Sequence, residues 1–227
     1  MNIPHPLSLL YLHTIIPTIR MPKTSVPVLF LWLFFLTLPL LGNDLFAQTG
    51  SSKKLSETVD IFLHKSASAE DVKKLMEILG HDVQKFSSKF KYVPSINPLN
   101  PKKLKRFSSK FGNRFHPIDN KNKPHFGLDI SAKAGTPIHA AAAGTIKSTK
   151  ESKTGYGNQV VIEHDYGFKT RYAHMYLFIV KEGQTVKKGE IIGFVGSTGK
   201  STADHIHFEV WKNGDRIDPY PFCFLDL

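Results

Sequence analysis

Between residues 104 and 217, short apolar segments alternate with glycine-containing turns at close spacing, and this pattern restricts the chain to few folds. The segments include PIH at 137–139, GTIK at 144–147, QVVIE at 159–163, KTRYA at 169–173, IIGFV at 191–195 and HIHFEVW at 205–211. Each is short and rich in valine, isoleucine, threonine or aromatic residues, the composition of strands. DYG at 165–167 and KNGD at 212–215 are tight-turn signals between strands. Regular short strands, glycine turns and no helical pattern between them define an all-β, mainly antiparallel domain. It is placed at residues 104–227. Pro94 and the stretch SINPLNPKK at 95–103 mark its boundary.

Upstream, residues 48–103 read as a basic linker. Residues 49–67, rich in Ser, Lys and Thr, have the look of a tail. Val72, Leu75, Met76 and Leu79 recur at helical spacing, Ser68 and Asp71 suit a capping box, and Gly80 suits a stop, so a short helix is expected at about 69–79. The chain has 30 Lys+Arg against 19 Asp+Glu, a formal net charge of +11. That balance favours a polyanionic neighbour. The basic arm is read first as a solvated linker and second as a tether to an anionic wall or membrane surface. A nucleic-acid role is not expected, since no recognition motif accompanies the charge.

Residues 1–47 read as a signal-peptide region. Met21-Pro22-Lys23 precedes an apolar run from Val26 to Leu41, followed by a polar break and LFAQ. Met21 offers an alternative start. Cleavage after Ala47 is expected, although Leu45 departs from the small-residue rule, and an uncleaved anchor is the other reading. The chain is therefore expected to be exported, to the periplasm, the cell envelope or the exterior. Cys223 is the single cysteine. It excludes an internal disulfide and, in an apolar tail, reads as a small buried hydrophobe.

Two histidines of the strand near the C-terminus, His205 and His207, fall on one face, because side chains alternate along a strand. They are half of a metal site, or two polar residues facing solvent. His125 and Asp129 lie four apart in KPHFGLDI. Four residues of straight strand span about 13 Å, so both can bind one ion only if the chain bends, and Gly127 would permit that. His174, in RYAHM, comes at the end of a strand. A catalytic zinc site has about three protein ligands and an open position. His125, Asp129 and one of His205 and His207 make three, and spacing leaves open which one. The remaining histidines can handle protons beside a zinc-activated water.

In order, FSSKFGNRFHP, HFGLDI, GTPIHAAAAGTI, GYGNQVVIEH, YAHM and GQTVKKGEIIGFVGSTGKSTADHIHFEVWKNGDRIDP resemble the LytM/lysostaphin-type zinc metallopeptidase domain, over about residues 107–219. The resemblance implies a β domain, barrel- or sandwich-like, whose groove holds one zinc ion. It implies His125, Asp129 and His207 as zinc ligands and His174 and His205 as the catalytic pair. The implied substrate is the peptide cross-links of bacterial peptidoglycan, and the implied activity is that of a zinc metalloendopeptidase. Neither the bond cut nor the oligomeric state follows from it.

Some positions depart from the family pattern. Ser201-Thr202-Ala203-Asp204 stands where Ser-Thr-Gly-Pro is frequent, so Asp204 is expected to act on its neighbour His205. His139 reads as structural or surface, His116 as groove wall and His164 as satisfying a loop carbonyl. A non-catalytic relative that activates another wall hydrolase is the competing reading, but such relatives lose metal ligands, and all five site positions are kept here. The strand pattern at 182–192 is shared with biotinyl and lipoyl carrier domains, but the lysine hairpin those need is missing.

Overall fold

The alternation of apolar and polar residues becomes strands wherever it is bounded by turns. In the computed structural model, which describes residues 49–116, 120–225 and 227, the strands in chain order are β1 (Leu104–Ser109), β2 (Gly112–His116), β3 (Lys121–His125), β4 (Leu128–Ala132), β5 (Pro137–His139), β6 (Gly144–Lys150), β7 (Asn158–Glu163), β8 (Phe168–Phe178), β9 (Thr185–Val186), β10 (Ile191–Val195), β11 (His205–Lys212) and β12 (Asp215–Ile217). Ten of them form one sheet in the order β1-β4-β11-β8-β7-β6-β9, with β10 joining β5 and β8, and β12 on β11. All recorded pairings are antiparallel. β2 and β3 form a separate two-stranded ribbon. The all-β expectation agrees with this architecture.

Alternation also decides what is buried. On β11, Ile206, Phe208 and Val210 are fully buried, with Leu128 and Ile130 of β4 and Tyr172 of β8 beside them. Full burial of such a side chain is worth about 1.5–3 kcal/mol. His205, His207 and Glu209 take the opposite face. The expected buried cysteine, Cys223, is buried in the C-terminal turn Pro221–Phe224.

The segment before the domain is largely helical. Thr49–Lys65 forms helix α1 and Ala69–Leu79 forms helix α2. The second matches the expected helix, with the Ser68–Asp71 capping box in place and the Gly80 amide bonded to the Met76 carbonyl. The first corrects the reading of residues 49–67 as a tail. Its signal was a sparse stripe: Leu55, Val59, Phe62 and Leu63 fall at i, i+4, i+7 and i+8, and the last three are buried. Lys212, itself buried on β11, donates to the Leu63 carbonyl at 2.8 Å and to the Tyr166 carbonyl. Asp60 accepts from the Tyr166 hydroxyl at 2.9 Å. Further along, the chain adds main-chain bonds from Ala143 to Lys91, from Ser95 to Ala141 and from His139 to Pro98. The helices and strands thus belong to one compact unit. The apolar run Val26–Leu41 and the site after Ala47 lie outside the described residues. No helix among the described residues is long and apolar enough to cross a membrane.

Candidate metal centre

Register brings the first two site residues together. β4 and β11 pair so that His207 stands directly opposite Asp129, which puts the two side chains on one face at cross-strand distance. His125 ends β3, in the ribbon, and the chain breaks at Phe126-Gly127 before entering β4 in the main sheet. The required bend is therefore a crossing between two sheets. Gly127 serves it by close approach. A Cβ there would lie 2.6 Å from the Phe208 carbonyl oxygen and 2.7 Å from the His207 ring.

His174 is inside β8 and not at its end, which corrects the expectation. The β7–β8 register shifts between Asn158↔Met175 and Val160↔Tyr172. His174 occupies that bulge with φ +61° and gives its amide to the Tyr156 carbonyl at 2.9 Å. A bulge re-aims one side chain, and here the ring lines the groove with His205 and His207.

Three donor atoms converge. His125 Nε2 lies 3.1 Å from Asp129 Oδ1 and 3.1 Å from His207 Nδ1, and His207 Nδ1 lies 2.9 Å from Asp129 Oδ1. A tetrahedral zinc with bonds of 2.0–2.1 Å holds its ligand atoms about 3.3 Å apart. The near-equilateral triangle of two imidazole nitrogens and one carboxylate oxygen, all three residues buried, fits that ion. The outer nitrogens are anchored in the manner a metal site requires. His125 Nδ1 meets the Lys110 carbonyl at 2.7 Å, and His207 Nε2 meets Glu209 Oε1 at 3.0 Å. His174 and His205 follow the same rule. Their Nδ1 atoms meet the carbonyls of Thr198 and Ala203, each at 2.8 Å, which leaves Nε2 for the groove. His205 Nε2 is 3.7 Å from Asp129 Oδ1, and the His174 and His205 rings are 4.8 Å apart. All five residues named from sequence therefore face one groove of about 530 Å³.

The electrostatics suit a cation. Burial by itself would raise the Asp129 carboxyl, but hydrogen bonds from His125 and His207 outweigh it and hold the group far below the usual carboxylate range. Burial would likewise lower His207, but its bonds to Asp129 and Glu209 turn the shift upward. His174 is pushed down to about 4 by burial and by the neighbouring rings of His205 and His207. Arg114 Nη2 lies 3.4 Å from the other oxygen of Asp129.

Sequence reasoning passed over Glu209 and Tyr156. Glu209 carried a signal, since it continues the 205, 207, 209 alternation. Its Oε1 accepts from the Tyr156 hydroxyl at 2.6 Å. Tyr156 had no signal, because a loop residue's contacts are set by tertiary packing. Of the other histidines, His139 Nδ1 meets the Gly189 carbonyl at 2.9 Å, and buried His164 meets the Ala143 carbonyl at 2.7 Å. The side chain of His116 lies outside the described set. Asp204 accepts from the Ala134 amide at 3.2 Å and thereby ties its loop to the turn that follows β4.

The sequence profile of peptidase family M23 matches residues 123–219. The chain is 47% identical over 121 residues to the DD-carboxypeptidase/endopeptidase Mpg of Neisseria meningitidis serogroup B, covering 53% of this chain and 28% of that protein. It is 38% identical over 114 residues to the peptidoglycan DD-endopeptidase ShyA of Vibrio cholerae, covering 50% of this chain and 26% of that protein. The chain thus spans about a quarter of the length of these relatives. Among solved structures, a zinc-containing peptidase from Vibrio cholerae superposes with a TM-score of 0.51 at 33% identity, over 56% of this chain and 39% of that one.

Proposed function

From the match of residues 123–219 to peptidase family M23 and the geometry of the groove, we propose that the chain is a peptidase of that family, an exported zinc endopeptidase that cuts D-alanyl peptide cross-links of bacterial peptidoglycan. The observation that carries this reading is the triangle of donor atoms with anchored outer nitrogens. His125, Asp129 and His207 would hold the zinc. When bound, zinc supplies Lewis acidity, polarising a peptide carbonyl and bringing the pKa of water toward about 7.

The chain's own groups do the rest. One ring of the His205–His174 pair accepts a proton at Nε2 from the attacking water and passes that same proton to the leaving amine. The pair's Nδ1 atoms, donating to Ala203 and Thr198, fix that tautomer. His174, with a pKa lowered to about 4 by burial, is neutral at neutral pH and so keeps a lone pair on Nε2. The relatives named for DD-peptidase activity favour the D-alanyl bond. The charge of the groove agrees: Arg106, Arg114, Lys123 and Lys200 line it, with Asp129 as its carboxylate. Such a wall attracts the carboxylates of stem peptides more than a neutral glycine bridge. Exposed lysines on α1 and α2, among them Lys53, Lys65, Lys73 and Lys74, would bring the enzyme to an anionic wall or membrane surface.

Digestion of purified peptidoglycan by the zinc-loaded chain tests this. Cross-linked dimers should convert to monomers. His207→Ala should lose both zinc and hydrolysis, whereas His174→Ala should keep zinc and lose about 10²–10⁴-fold in rate. Stoichiometric zinc without cleavage of any cross-link would move the activator reading ahead.

A further inference from the structure

The strand that carries His205 and His207 carries a third polar residue on the same face. Glu209 is fully buried. Burying an ionised carboxylate without partners costs several kcal/mol, and its surroundings are built to offset that. Oε1 accepts from His207 Nε2 at 3.0 Å and from the Tyr156 hydroxyl at 2.6 Å. Oε2 lies 3.4 Å from Arg171 Nη1 and 3.4 Å from Arg216 Nε. Pairing supplies Arg171 directly, since it stands opposite Glu209 on β8. The guanidinium groups are fixed in turn by rings. Arg171 stacks on Tyr156 at 4.4 Å and Trp211 at 4.9 Å, and Arg216 on Trp211 at 5.2 Å and Phe126 at 4.6 Å.

Among the four groove histidines, the other three anchor their outer nitrogen on a main-chain carbonyl. Only His207 uses a carboxylate. A carbonyl accepts one proton passively, whereas a carboxylate also adds charge to the ring, which makes the opposite nitrogen a stronger donor. We propose that Glu209 is a positioning residue that accepts the Nε2 proton of His207, fixes the tautomer presenting Nδ1 to the metal and raises the affinity of the centre. Tyr156, Arg171 and Arg216 hold the carboxylate at that angle and balance its charge. The inference rests on the zinc reading above.

The test measures zinc affinity of the full chain by competition with a chelator, together with imidazole nitrogen NMR. Glu209→Ala should bind zinc about 10–100-fold more weakly. Glu209→Gln, which keeps an acceptor oxygen without the charge, should fall between it and the unmodified chain. In the zinc-loaded unmodified chain, the His207 signal, identified by its loss in His207→Ala, should carry a protected proton on Nε2. A folded Glu209→Ala that binds zinc within twofold of the unmodified chain overturns the proposal. So does a His207 ring protonated on Nδ1 in the loaded unmodified chain, a measurement that stands even if Glu209→Ala does not fold. An unmodified chain that takes up no zinc overturns the metal reading itself, which is a different result.

Discussion

A single missing methyl group decides whether His125, Asp129 and His207 can share an ion. Gly127 lets the crossover from ribbon to sheet pass against β11. A Cβ there would meet a main-chain oxygen at 2.6 Å and the His207 ring at 2.7 Å. The backbone cannot yield cheaply, so the ring is displaced. Gly127→Ala is expected to lower zinc affinity at least tenfold while costing about 1–3 kcal/mol of stability, read by chelator competition and by denaturant melts. An unchanged affinity would mean that the crossover is looser than its contacts imply. The residues that converge here were legible through the resemblance of their motifs, while spacing showed only that His205 and His207 share a face and that His125 and Asp129 need a bend between them. Which nitrogen of each ring points inward was not, since that depends on acceptors such as the Lys110 and Thr198 carbonyls, brought up from distant positions.

At the level of elements, the strands announced themselves by period-2 alternation, whereas α1 was hidden by its polar composition. A helix that buries a narrow stripe shows few apolar residues, and Ser, Lys and Thr fill the rest. Its docking is nevertheless built in. Leu63 is completely buried, and the adjoining carbonyl receives the Lys212 ammonium. Leu63→Ala should destabilise by about 2–5 kcal/mol. Because α1 and the strands belong to one compact unit, the loss should appear as a lower midpoint of one cooperative transition. A separate early transition for the helices, or no change at all, would favour the linker reading.

For the molecule as a whole, the fold sets a pH limit of its own. His164 lies in the core between the Ala143 carbonyl at 2.7 Å and Thr170 Oγ1 at 2.8 Å. Burial pushes it down to about 4, against about 6.5 in the unfolded chain. The folded state therefore binds fewer protons between those values. Stability is full above about pH 6.5 and falls as pH drops toward 4, by roughly 3 kcal/mol. Denaturant melts of the metal-free chain across that window should show the slope, and His164→Gln should make it shallower without abolishing it, because His174, also lowered to about 4, acts in the same direction.

The sequence by itself determined the class of fold and, through the resemblance of its motifs, five of the groups that meet in the groove. Alternation and turn residues are local signals, and His, Asp and Gly at fixed spacing constrain chemistry wherever the chain goes. Only the tertiary structure decided that His207 faces Asp129, that His174 sits on a bulge and that Glu209 lies behind His207. Those depend on register between strands up to 82 residues apart, as for His125 and His207, and on packing that fixes one ring orientation among several. Local sequence does not encode such contacts.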